Sequence, residues 1–238
     1  MNTDLMYLLQ DMQNMSNPPK AEILQRFFQT HKGGYGEGDI FLGLTVPQQR
    51  DVVKKYFKTI PLRDVEELLH SPVHEHRLTA LLILVKKFEK EPSQDIIDLY
   101  ERSFELINNW DLVDASALYI LGKWYFDKDR SKIYEWARFP HLWTQRIAVL
   151  STFYFIRQND FSTTLDLAEA LLDHPHHLIH KAVGWMLREV GNRDKTVETA
   201  FLDKNWEKMP KIMLSYALEK YSEDERKKYK KGSPKGAI

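Results

Sequence analysis

Apolar residues recur along this chain at the three- and four-residue intervals of an α-helix. Leu5, Leu8, Leu9 and Met12 follow the i, i+3, i+4, i+7 template. Ile147, Leu150, Ser151 and Tyr154 repeat it, with the serine as the one lapse. No long stretch alternates with period two, so strands are not expected. Helix starts are marked by Asn17 ahead of Pro18 and by Thr45-Val46-Pro47, with Ser93, Asn109 and Ser162 as further caps. The pattern predicts roughly a dozen helices joined by short loops, as in helical arrays.

A longer period overlies the helical one. Ala80, Ala115, Ala148, Ala182 and Ala217 each sit in a mostly apolar helical segment, at intervals of 35, 33, 34 and 35 residues. A period in the mid-thirties belongs to stacked helix–turn–helix units, in which small residues let neighbouring pairs approach. The fold class predicted is therefore all-α, a superhelix (α-solenoid) of antiparallel helix pairs. It is expected as a single domain over residues 1–231, with a disordered tail at 232–238.

One segment departs from this rhythm. Five of the ten glycines lie within residues 33–43, in Lys32-Gly-Gly-Tyr-Gly-Glu-Gly-Asp39 and on through Ile40-Phe-Leu-Gly-Leu44. A phosphate cradle lacks its Lys-Ser/Thr and its strand–turn–helix setting, and Glu37 and Asp39 would repel phosphate. A structured loop or short hairpin fits better. If it protrudes, Tyr35 and Gly36 are candidate insertion residues.

Composition narrows the class. Apolar residues make up 43% of the 238 and charged residues 29%, as in a globular chain with a continuous core. No apolar run approaches the roughly 18 residues of a membrane span. The first dozen residues carry acids and no basic residue, unlike a secretory signal. With no cysteine, disulfides, thiolate metal sites and a thiol nucleophile are excluded. The expected location is the cytoplasm, with no membrane and no obligate protein partner.

Net charge is zero, but it is polarised: residues 61–120 carry 6 basic and 12 acidic side chains, and residues 181–238 carry 14 and 9. Such a chain can present one basic face. It can equally have only a solvated, Lys-rich C-terminal end.

Three segments carry candidate chemistry. Asn108-Asn-Trp-Asp-Leu-Val-Asp114 opens a helix with Trp110 and Asp114 four apart, on one face. Its acids, Asp111 included, also suit a helix N-terminus through the dipole, and the tryptophan suits a core. Lys181-Ala-Val-Gly-Trp-Met-Leu-Arg-Glu189 places Trp185 and Arg188 three apart. There a packing indole with an arginine passing over it is the ordinary account. Trp143-Thr-Gln-Arg146 lies in the repeat between. Measured from each repeat's alanine at about 100° per residue, Trp110, Asp114, Arg146, Trp185 and Arg188 fall within an arc of about 140°, away from the alanines. Two indoles, a carboxylate and two guanidiniums on one surface suit a cationic ligand attached to phosphates. Asp173-His-Pro-His-His-Leu-Ile-His180 holds four histidines, but lacks the intervening glutamate of a zinc-protease helix, and no metal is expected there.

Trp-Asp-x-Val-Asp, Arg-x-Ala in the next repeat and Gly-Trp-x-Leu-Arg-Glu together resemble the signature of the DNA alkylation-repair family of HEAT-like-repeat DNA glycosylases. Phe41-Leu-Gly-Leu-Thr-Val-Pro47 with Arg50, His74-Glu-His-Arg77, Met209-Pro and Tyr216-Ala-Leu-Glu-Lys220 echo it over residues 20–222. The resemblance implies hydrolysis of the N-glycosidic bond of N3- or N7-alkylated purines in duplex DNA, with no cofactor. Asp114 would position water and stabilise the sugar cation. Trp110 and Trp185 would stack on the lesion's sugar-phosphate, and Arg146 and Arg188, with Lys181 and Lys211, would hold phosphates. The chain departs from the family at Lys211 and Ser215, where arginines are common. The family's N-terminal aromatic is assigned to Tyr35. The alternative is a non-catalytic member that binds branched or distorted DNA.

Overall fold

A computed structural model describes residues 3–230. The tail expected at 232–238 lies outside the described residues. Among those described, regular structure is helical, and one isolated parallel bridge, Ile40 to Val73, is the sole β-type pairing. The fold class is the predicted one, an all-α solenoid of stacked helices.

The chain divides into two compact units between Trp124 and Tyr125. The first contains α1 (Thr3–Asn14), α2 (Pro18–Phe27), α3 (Val46–Tyr56), α4 (Leu62–Leu69), α5 (His74–Lys90), α6 (Gln94–Arg102) and α7 (Trp110–Asp114). A π-helical turn at Leu118–Gly122 leads into α8 (Lys123–Tyr125), which crosses the division. In this unit α5 is central: α3, α4, α7 and the π turn all pack on it. The second unit contains α9 (Ser131–Arg138), α10 (Leu142–Arg157), α11 (Ser162–Ala170), α12 (His177–Arg193), α13 (Lys195–Asn205), α14 (Lys211–Ala217) and α15 (Glu223–Lys227). Here α10, α12 and α14 lie side by side, with α9 and α11 against α10 and α13 against α12.

Local sequence sets most of the boundaries. The Asn17 side chain accepts from the Lys20 amide with Pro18 at the first helical position, and Thr45 forms a capping box with Gln48. Asn109 caps α7 through the Trp110 amide at 2.9 Å. Ser162 is not the cap of α11: it is the first helical residue, and its amide donates to Asp160.

Four repeat alanines, Ala80, Ala148, Ala182 and Ala217, are fully buried. Ala115 is not, because α7 ends at Asp114 and a turn follows; Ala117 is the buried alanine there. Close approach also explains Gly184: a Cβ at that point would sit 2.4 Å from the Met213 carbonyl oxygen, so glycine lets α12 and α14 touch.

The glycine-rich segment is a packed loop and not a hairpin. Gly43, at φ +86°, lies so close to the Asn17 carbonyl that a Cβ would stand 2.2 Å from its oxygen. One carboxylate holds the loop's second half. Glu75 accepts from the amides of Leu42, Gly43 and Leu44 at 3.0, 2.8 and 3.2 Å.

Candidate functional site

In the first unit the start of α7 is tied down by a buried ionic network. His74, the first residue of α5, lies between two carboxylates: Nδ1 is 3.0 Å from Asp39 and Nε2 is 2.8 Å from Asp111. Arg77, one turn along α5, pairs with Asp39 at 2.5 Å and donates to Asn108 and to the Ser71 carbonyl. Asn108 donates in turn to Asp39 at 2.9 Å. Burial works against a charged His74 ring, but the bonds from Asp111 and Asp39 overcome it and push its pKa up to about 9. Burial likewise opposes the Asp39 charge, and His74, Arg77 and Asn108 together still hold its pKa below the usual carboxylate value. Asp111 is therefore more than a complement to the helix dipole: it is the second counterion of a buried imidazolium.

The Trp110 ring sits on an aromatic stack. It lies against Phe28 at 5.3 Å and 26°, and Phe28 in turn stacks on Phe41 and His74. Phe27 meets the indole edge-on at 5.9 Å while remaining 60% exposed. A cavity of about 310 Å³ adjoins the stack, lined by Phe28, Phe41, His74, Asp111 and Lys20.

Asp114, one turn beyond Trp110, is half-buried, and its charge adds to the burial that raises the Tyr100 hydroxyl. The π turn follows within four residues; such turns recur at functional positions because they re-aim side chains. A second cavity, of about 510 Å³, borders Ala115 and Tyr119 and carries Arg50, Lys54 and Lys86 on its walls.

In the second unit Trp185 and Arg188 share one face of α12, both half-buried. The Trp185 indole donates to Glu189 at 2.9 Å and meets Phe153 edge-on at 5.7 Å. Arg188 is paired with Glu219 and lies 3.6 Å from Glu189. Arg146 does not stand free in solvent. It is 5% exposed, and its Nη1 donates to the Leu178 carbonyl at 2.8 Å, bracing the start of α12. Lys181 is half-buried on α12, and Lys211 is exposed at the start of α14.

Among the histidines at the start of α12, His174, His176 and His180 each turn a ring nitrogen to the backbone. His176 accepts from the Leu178 amide and His174 from the His176 amide, while Nε2 of His180 meets the His174 carbonyl. Burial lowers the pKa of His174, His176 and His177.

The model of the DNA alkylation repair enzyme family matches residues 8–221. The chain belongs to this family. Among solved structures it resembles a predicted DNA alkylation repair enzyme from Enterococcus faecalis, with a TM-score of 0.73 and 14% identity over 87% of this chain and 97% of that one. At that identity the likeness is one of fold. No curated protein matches.

Membership gives the echoing motifs a physical meaning. Phe41-Leu-Gly-Leu44 and His74-Glu-His-Arg77 bind each other, through Glu75 to the loop amides and through the stacking of Phe41 on His74 at 4.5 Å. Both belong to the scaffold of the DNA alkylation repair fold beneath α7. Phe27 and Phe28 are aromatics beside Trp110, and the Tyr35 hydroxyl is 3.4 Å from the Phe27 carbonyl. Gly36 is buried under the Phe28 carbonyl and does not protrude. The sequence signal for Phe27 and Phe28 was a double aromatic ending an amphipathic helix. Glu189, the last residue of the Gly-Trp-x-Leu-Arg-Glu motif, accepts from the Trp185 indole. No helix among the described residues is long and apolar enough to cross a membrane.

Proposed function

We propose that this member of the DNA alkylation repair family hydrolyses the N-glycosidic bond of N3- or N7-alkylated purines in duplex DNA. The observation that carries the reading is the anchoring of α7. Its first residues are bound to the buried Asp39–His74–Asp111 network, and the same short helix carries Trp110 and Asp114 one turn apart. A group that stabilises a transition state must be held still beforehand, and an ionic network at the helix start does that.

An alkylated purine already carries positive charge, so no general acid is needed to help it leave. As the bond from C1′ to the base nitrogen breaks, its electron pair goes to the base, which departs neutral. The sugar becomes cationic. Asp114 stabilises that cation through its carboxylate and orients a water whose oxygen bonds to C1′; the water's proton passes to the carboxylate and then to solvent. Trp110 offers its indole to the cationic nucleoside. In the second unit Trp185, Arg188, Lys181 and Lys211 contact the DNA, and Arg146 of α10 braces the start of α12 beneath them.

The test is release of 3-methyladenine and 7-methylguanine from methylated duplex by the purified chain. Asp114→Asn keeps the shape and removes the charge, and should slow release by on the order of 10²-fold while leaving DNA affinity equal or tighter. A wild-type protein that binds DNA and releases neither base would overturn the catalytic reading in favour of a non-catalytic binder of branched or distorted DNA.

A further inference from the structure

Arg188 is surrounded by acids. Its Nη1 donates to Glu219, its Nη2 lies near Glu189, and its Nε is buried with no hydrogen-bond partner. The two glutamates differ in how firmly they are committed. Glu189 already accepts from the Trp185 indole at 2.9 Å and from Asn192 at 3.2 Å. The Glu219 side chain is 49% exposed, and its other neighbouring cation is Lys220 at 3.5 Å.

Glu219 is nevertheless presented by a built support. It belongs to a 3-10 turn, Leu218–Lys220, that follows α14 directly. Arg226 of α15 donates from Nη2 to the Glu219 carbonyl at 2.7 Å and from Nε to the Tyr221 carbonyl at 2.9 Å, which fixes the backbone of that turn. The helix supplying Arg226 starts with a Ser222–Glu225 capping box, and Glu225 is paired with Lys195 of α13. The carboxylate on Arg188 is thus held there by residues of α13 and α15.

A carboxylate seated on a guanidinium uses the same donor fork that a phosphate would use. We propose that Glu219 is a specificity residue that competes with a DNA phosphate for Arg188, an inference that rests on the DNA reading given above. A phosphate displaces Glu219 only when other contacts hold the strand in place. Plain duplex therefore binds weakly, and engagement of Arg188 is reserved for DNA already gripped elsewhere.

The experiment measures binding of the full chain to a short undamaged duplex at low salt. Glu219→Gln should tighten binding about 5-fold, the upper end for a partly exposed ion pair. Glu223→Gln makes the same charge change on exposed α15 and should do clearly less. In an Arg188→Ala background, the gain from Glu219→Gln should vanish. Arg226→Ala removes a cation, which by itself weakens DNA binding, yet by loosening Glu219 it should tighten it. Wild-type binding with a Glu219→Gln gain no larger than that of Glu223→Gln, or a gain that persists without Arg188, would overturn the competition and leave the DNA reading standing. Failure of the wild type and every variant to bind duplex would remove the DNA reading, and the competition with it.

Discussion

Trp110 keeps its indole face against Phe28 and connects to the rest of its unit through Asp111, His74 and Asp39, whereas Trp185 relies on one hydrogen bond to Glu189 and an edge contact with Phe153. The charges behind the first indole are almost fully buried; those beside the second are partly in water. Electrostatics in the two places therefore do different work. Around Trp110, ionic contacts are a condition of the fold, because removing one partner strands another in a medium that cannot solvate it. Around Trp185 they set orientation and tune what the guanidinium is free to meet, at small cost to stability.

The sharpest way to break this comparison is Asp39→Asn. It leaves His74 and Arg77 facing one buried carboxylate where there were two, and should cost about 3–5 kcal/mol in denaturant unfolding. A loss below about 1 kcal/mol would mean that the network is no stronger than a surface pair.

A second probe is pH. The folded-state pKa of His74 is raised from 6.5 to about 9, so its stabilising contribution is complete below 6.5 and disappears as pH climbs through 9. The histidines at the start of α12 have lowered values, so their contribution is present above the ordinary histidine range and is lost as pH falls through it. Unfolding followed by amide signals from the first unit should show a loss of stability between about pH 6.5 and 9 that His74→Gln removes. A loss in that window that persists in His74→Gln would contradict the assignment.

The smallest expected effect is that of Glu189→Gln. The amide oxygen can still accept from the Trp185 indole, so the stability loss should stay under about 1 kcal/mol. A loss as large as that of Asp39→Asn would erase the distinction between the two regions.

Features set by near neighbours were legible in the sequence. The caps at Asn17, Thr45 and Asn109 depend on residues one to three positions away, and each is where the sequence placed it. At α11 the cap was misplaced, because Asp160 and Ser162 are both good acceptors two residues apart. The repeat was legible because small residues mark close packing between helices; its register slips at Ala115, where α7 ends early. Spatial partners far apart in the chain were not legible. Asp39 and His74 are 35 residues apart, and Arg188 and Glu219 are 31. No periodicity links them, so the sequence offers Asp39 only as a charge that would repel phosphate, whereas the fold buries it against His74 and Arg77. Arg146 read as a free cation because angle alone cannot say that α10 is covered on nearly every side.

Three consecutive amides, those of Leu42, Gly43 and Leu44, share the two oxygens of the Glu75 side chain. The segment thus has no ladder that can fray from one end. Any fluctuation that withdraws this one side chain releases all three protons together, and they regain protection together when it returns. The loop opens as a single cooperative unit, and its exchange with solvent is governed by the first turn of α5, more than thirty residues further along the chain.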